Sequence, residues 1–125
     1  MNQYVLWALR AVPAAILLQT LFFKFLGAPE SVWIFTQLGV EPWGRYIVGA
    51  LELVATALIL WPRTTPFGAT LAVGLMLGAI LSHLAKLGIA VQGDGGLLFS
   101  LAIVTLACSA VLAWTGRGTL SALLR

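Results

Sequence analysis

Four stretches of this chain are almost continuously apolar, and short polar segments separate them. They run from about Gln3 to Phe25, Trp43 to Trp61, Pro66 to Leu87 and Gly95 to Trp114, and a short polar tail, "TGRGTLSALLR", is expected after the last. Each has about the 20 residues that a helix needs to cross a bilayer. A transmembrane β-barrel would instead alternate polar and apolar positions. The pattern therefore predicts an all-α fold, a transmembrane four-helix bundle. Pro13 falls inside the first run and predicts a kink, which membrane helices tolerate when neighbours satisfy the freed carbonyl. "WPRTTP" separates runs two and three: Pro62 cannot continue a helix, and Pro66 suits the first turn of the next, with Thr64 or Thr65 as its cap.

The first connection, "GAPESVWIFTQLGVEPWGR", is the longest. Pro29 and Glu30 make a helix start, Val32, Phe35 and Leu38 recur at helical spacing, and Gly39 suits the stop. A short interfacial helix or re-entrant loop is predicted here. Irregular backbone at membrane depth persists only where protein or water surrounds it, so this segment is expected to fold over the bundle mouth.

Composition removes the alternatives. The 125 residues are 61% hydrophobic and 9% charged, against about 25% charged in a soluble domain, so the chain cannot coat itself with polar surface. Four spans use roughly 80 residues, which predicts a single integral membrane domain over 1–125 with the lipid bilayer as its surroundings. The net charge is +3, but the seven basic residues stand singly, mostly at the ends of apolar runs. They read as interface anchors and topology signals, not as a nucleic-acid surface. Arg10 interrupts the first run, and no small-x-small cleavage motif follows, so that run reads as a permanent span rather than a leader. The single cysteine, Cys108, cannot form an intrachain disulfide and is expected as a small buried side chain.

With four spans, both termini and the 62–65 turn share one side. That side holds Arg63, Arg117 and Arg125, with Arg10 near it and no acid; the other holds Lys24, Arg45 and Lys86 together with Glu30, Glu41 and Asp94. The slight basic excess predicts both termini in the cytoplasm. Trp7, Trp61 and Trp114 fall on the terminal side and Trp33 and Trp43 on the other, as indoles at two interfaces do. Gly74 and Gly78 lie four apart, a spacing that lets helices pack closely, either within the bundle or on the face of a homo-oligomer.

Ionisable residues inside a span are costly and mark function by default. Glu52 lies about 12 Å into span two at 1.5 Å per residue. Arg45, Gly49 and Glu52 share one helix face, with Gly49 as a notch between the charges. His83 stands near the end of span three, where it is either a tie to a neighbouring helix or a proton-exchanging group. No second histidine exists and Cys108 lies deeper, so no metal site is expected. Asp94 precedes span four as a helix cap, in a turn with Gln92, Gly93, Gly95 and Gly96 that is too short for a phosphate loop. Lys24 alone would be a snorkelling anchor, and Arg10 more so. The topology brings Lys24, Arg45, Glu52, His83 and Asp94 to one mouth, beneath the loop that carries Glu30 and Glu41. Polar groups converging in an apolar bundle are a candidate ligand or proton site.

The segments "FKFLGAPESVWIFTQLGVEPWGRYIVGALELVATALILWPR" and "GAILSHLAKLGIAVQGDGGLLFSLAIV" resemble the DoxX-like family of small four-helix membrane proteins. The resemblance rests on Lys24 and Phe25, the 27–45 loop, Glu52 within "GALEL", Pro62, His83 and the "GDGG" turn. Some relatives are membrane subunits of thiosulfate:quinone oxidoreductases, and others are linked to redox or thiol-stress complexes. The resemblance thus implies a bound quinone or a redox partner protein. The sequence carries no flavin, haem or iron–sulfur signature and no covalently bound cofactor is expected. Under this reading His83 with Lys24 or Arg45 would hydrogen-bond the quinone carbonyls, and Glu52 would relay a proton. The alternative is a non-catalytic structural or assembly subunit whose mouth charges tie helices and dock a partner. A third reading, a small-solute transporter formed by an oligomer, has no inverted repeat to support it in one chain.

Overall fold

The computed structural model describes residues 2–91 and 93–123, the last by its backbone alone. Gln92, expected in the turn before span four, and Arg125, expected among the terminal-side arginines, lie outside the described residues.

Helix α1 (Gln3–Leu26) begins where the Asn2 side chain accepts the Tyr4 N–H at 2.7 Å, and it carries Pro13 within it. It stops at Gly27, φ 68°, a left-handed backbone that costs a side chain about 1–2 kcal/mol. Pro29 opens α2 (Pro29–Gln37), and Gly39 at φ 77° follows it, so the connection holds the helix that its spacing predicts. Helix α3 covers Trp43–Leu60 and α4 covers Thr65–Ser82, with Pro66 in the first turn.

Thr64 stands at the N-cap of α4, as expected, but neither its hydroxyl nor that of Thr65 caps the helix. Their hydroxyls donate backward, to the Leu58 and Ile59 carbonyls at 2.8 Å each. They close the open C-terminus of α3 instead of capping the N–H groups of α4.

From Ser82 the chain passes directly into a π-helical turn, His83–Leu87, closed by the Gly88 N–H on the His83 carbonyl at 2.7 Å. Helix α5 follows over Leu97–Thr115. The C-terminal segment, expected as a polar tail, is helical as well: α6 spans Arg117–Leu123. Gly116 ends α5, and its carbonyl accepts the N–H groups of Thr119 and Leu120, which starts the new helix at once.

Among the described residues four helices are long and apolar enough to cross a membrane: α1, α3, α5, and α4 with its π-helical turn. The chain is a multi-pass membrane protein whose spanning segments form a bundle. Helix α1 packs against α3 and α5, and α4 packs against α3 and α5, so the four form a closed ring. Side chains as large as Phe22, Leu53, Leu81 and Ile103 point outward and are about half exposed or more. Water would make that surface unstable, whereas lipid makes it neutral.

The core inside the ring is small-residue packing around Leu17, Ile59 and Met76, with Ala55, Ala69 and Ala72. Close approach of α4 to α3 depends on Gly68: a Cβ there would stand 2.7 Å from the Ile59 backbone nitrogen and 2.9 Å from the Ala55 carbonyl oxygen. Gly74 and Gly78, expected to serve packing either within the bundle or between copies of the chain, do not serve the first. A Cβ on either would meet nothing within 4 Å. Spacing shows which residues share a face, and α4 turns the Gly68 face to α3 while the Gly74 and Gly78 backbone borders open space.

Candidate functional site

The open space is a cavity of about 760 Å³ at the end of the bundle where α1 and α4 finish and α3 and α5 begin. All four spanning helices contribute to its wall, and α2 borders it with Pro29, Glu30 and Ile34. Leu17, Met76 and Leu101 make much of the wall apolar; Lys24, Glu52, His83 and Asp94 make one part polar.

Glu52 stands mid-way along α3 with 2% exposure. Such a carboxylate requires partners. It has two, both from α1: Lys24 Nζ lies 2.8 Å from Oε1, and the Thr20 hydroxyl donates to Oε2 at 2.8 Å. The i, i+4 spacing of Thr20 and Lys24 places both on the α1 face turned to α3. Gly49 provides the opening, since a Cβ there would press on the Phe25 ring at 3.2 Å. The notch expected between Arg45 and Glu52 receives an aromatic side chain of α1.

Arg45 is buried, yet it is not among the residues that line the cavity. Its Nε donates to both Glu41 oxygens, at 2.9 and 3.0 Å, and its Nη1 donates to the Lys24 carbonyl. That carbonyl is one of the last of α1, where a cation is favoured. Arg45 and Glu41 therefore bind the start of α3 to the end of α1 from beside the cavity. Glu30, in the first turn of α2, lines it.

His83 is 5% exposed. Its Nδ1 lies 2.8 Å from the Ala79 carbonyl, which can only accept, so Nδ1 carries a proton. The Phe99 ring of α5 meets the imidazole edge-on at 5.5 Å between centroids. Nε2 is buried and has no hydrogen-bond partner among the described residues. In the neutral ring that nitrogen is an acceptor, and in the cation it is a donor. A π-helical turn starts at this residue, and such turns are frequent at functional sites.

Asp94 acts two residues ahead of the N-cap residue Gly96. Its Oδ1 accepts the Gly96 and Val91 N–H groups at 2.8 and 3.0 Å, and Oδ2 accepts that of Leu98 at 3.2 Å. Burial pushes this carboxyl up, but the bonds from Gly96, Leu98, Val91 and Leu97 outweigh it and hold it below the ordinary carboxylate range. Among the described residues no three His, Cys, Asp or Glu side chains come together as a metal site would require. Cys108 is half-buried in α5.

A model of the DoxX-like family matches residues 8–111, most of the chain. The chain belongs to the DoxX-like family. The matched DoxX-like region takes in every residue that lines the cavity. Neither a curated protein nor a solved structure matches the chain.

Of the seven candidate site residues of this DoxX-like sequence, five line the cavity: Lys24, Glu52, His83, Asp94 and Glu30. Two, Arg45 and Glu41, pair with each other beside it. Thr20 and Phe99 were not singled out. Thr20 left a faint signal, a hydroxyl next to Gln19 within an apolar run. Phe99 left none, because an aromatic residue in a span is ordinary.

Proposed function

We propose that this DoxX-like protein binds a small quinone-type ring in the cavity, with His83 Nε2 as its polar anchor. The observation that carries the reading is a histidine that lines a largely apolar cavity of about 760 Å³ and whose buried Nε2 has no hydrogen-bond partner among the described residues. Such cavities with a few placed polar groups are what flat amphipathic ligands occupy. Because Nδ1–H already donates to Ala79, the neutral ring offers Nε2 as an acceptor. It therefore favours the hydroxyl form of the ligand, a quinol, over the carbonyl form; protonated His83 would reverse that preference. Glu52 and Arg45 take a different part from His83. Both already have protein partners, so the relay through Glu52 requires Lys24 to move, and Arg45 does not reach the ligand.

Titration of the detergent-purified protein with a short-chain quinol and its quinone tests the proposal. Saturable binding is expected, quinol tighter than quinone at neutral His83, and about tenfold or more weaker in His83→Phe, the cost of one lost hydrogen bond to a buried polar group. Absence of saturable binding, or unchanged affinity in His83→Phe, would overturn it.

The Lys24–Glu52 and Arg45–Glu41 pairs favour a second reading, a membrane subunit whose charges fasten helices while its mouth and α2 dock a partner protein. Under that reading α2 lies at the membrane interface, the arginine-bearing terminal side faces the cytoplasm, and quinol does not bind.

A further inference from the structure

A second polar cavity, of about 360 Å³, lies at the opposite end of the bundle. It is bounded by Arg10 of α1, the α3–α4 turn with Pro62 and Thr65, the end of α5 with Thr115, and Thr119 of α6. Arg10 stands about 10 Å into α1 at 1.5 Å per residue, and long side chains on a helix lean toward its N-terminus, here toward this end. The guanidinium lies over the Trp7 ring, 5.1 Å from its centroid. Its Nε is buried and makes no hydrogen bond among the described residues.

A buried guanidinium donor needs an acceptor, and ordinarily a negative one. No acidic side chain is left to supply it here. The chain has four acidic side chains, Glu30, Glu41, Glu52 and Asp94. Glu41, Glu52 and Asp94 are engaged by Arg45, Lys24 and backbone N–H groups at the other end, and Glu30 lines the other cavity. The Arg10 end adds Arg63 and Arg117 and holds no acidic side chain, so its side chains make the local field positive. The hydroxyls of Thr65 and Thr115 donate to the Ile59 and Leu112 carbonyls. That leaves Arg10 and the Thr119 hydroxyl as the donors that face the cavity. Exposed indoles of Trp7, Trp61 and Trp114 surround this end and mark the depth of lipid headgroups.

We propose that the Arg10 cavity is a phosphate site, filled by the headgroup of an anionic phospholipid. The guanidinium takes the phosphate oxygens, and Leu6 and Leu112 border the glycerol end. A zwitterionic headgroup is disfavoured because its own cation would enter the positive field of this end. Basic pockets between membrane helices recognise anionic lipids in this way.

Native mass spectrometry of the full chain, delipidated in detergent, reads the bound fraction after equal additions of phosphatidylglycerol, phosphatidylcholine or inorganic phosphate. Wild-type protein is expected to retain phosphatidylglycerol over phosphatidylcholine. Arg10→Gln should lose about fivefold or more in that retention, and Arg63→Gln, at an exposed position, distinctly less. Binding of inorganic phosphate that also depends on Arg10 would support the phosphate chemistry with a free anion as its source. Equal retention of the two lipids by wild type would overturn the proposal without any variant. So would retention unchanged in Arg10→Gln, or equal losses in Arg10→Gln and Arg63→Gln.

Discussion

At the scale of single residues, burial divides the charged side chains into those with a protein partner and those without one. Glu52 is buried, but Lys24 and Thr20 hold both of its oxygens. Removing one member of such a pair is far costlier than removing both, because a buried charge is left behind. Lys24→Met is therefore expected to destabilise the protein by ~3–5 kcal/mol, and the double variant Lys24→Met, Glu52→Leu by much less. Reversible unfolding in mixed micelles measures both, and equal losses would show that the two side chains are not coupled. Most of these residues were legible in the sequence, since Lys24, Glu52, His83 and Asp94 are ionisable groups inside or beside apolar runs. Their partners were not. A threonine in a span normally bonds its own helix, as Thr56 does to the Glu52 carbonyl, and nothing in the sequence says that Thr20 also reaches across to α3. Nor could spacing separate Arg45, which ties two helix ends together, from the residues that face the cavity.

Helices and their ends were more legible than their contacts. Continuous apolar runs, prolines in first turns and glycines at the stops mark where helices begin and end, because those signals act locally. Which face of a helix meets a neighbour is decided by the whole ring, and there glycine spacing misleads. Gly74 and Gly78 have the spacing of a packing motif but border open space, whereas Gly68, which has no such companion, holds α4 against α3. The two positions should respond oppositely to a larger side chain. Alanine is a better helix former than glycine by about 1 kcal/mol, yet Gly68→Ala would force its Cβ to within 2.7 Å of the Ile59 backbone nitrogen. A net loss of ~1–3 kcal/mol is expected from such overpacking, read as a lower unfolding midpoint in the same micelles. A neutral or stabilising result would mean that α3 and α4 do not approach as closely as described. The helical C-terminal segment escaped notice for a related reason: Gly116 and Gly118 suggest a tail, while α6 forms because it packs on α4 and α5.

The whole molecule joins a tightly packed half to a hollow one. Around Gly68 the helices touch through alanines and backbone, and around Gly78 they enclose about 760 Å³ bounded by leucines and one histidine. The room left at that end is where a ligand would sit, and apolar atoms of the protein placed there would instead add contacts to its walls. Filling it should reveal the exchange. Gly78 lines the cavity, and a Cβ there meets nothing within 4 Å. Gly78→Leu would put apolar atoms into that space and remove a helix-weakening glycine at once. The expected outcome is a higher unfolding midpoint than wild type together with loss of quinol binding, while phosphatidylglycerol retention at the Arg10 end stays unchanged. Thermal unfolding, ligand titration and lipid retention on one preparation check the three parts. A lower midpoint with binding intact would mean that the space beside Gly78 is not part of the ligand's cavity. A higher midpoint with binding intact would leave the stability argument standing and move the ligand elsewhere. Stability gained at the expense of binding, at one end only, is what two independent sites in a single bundle require.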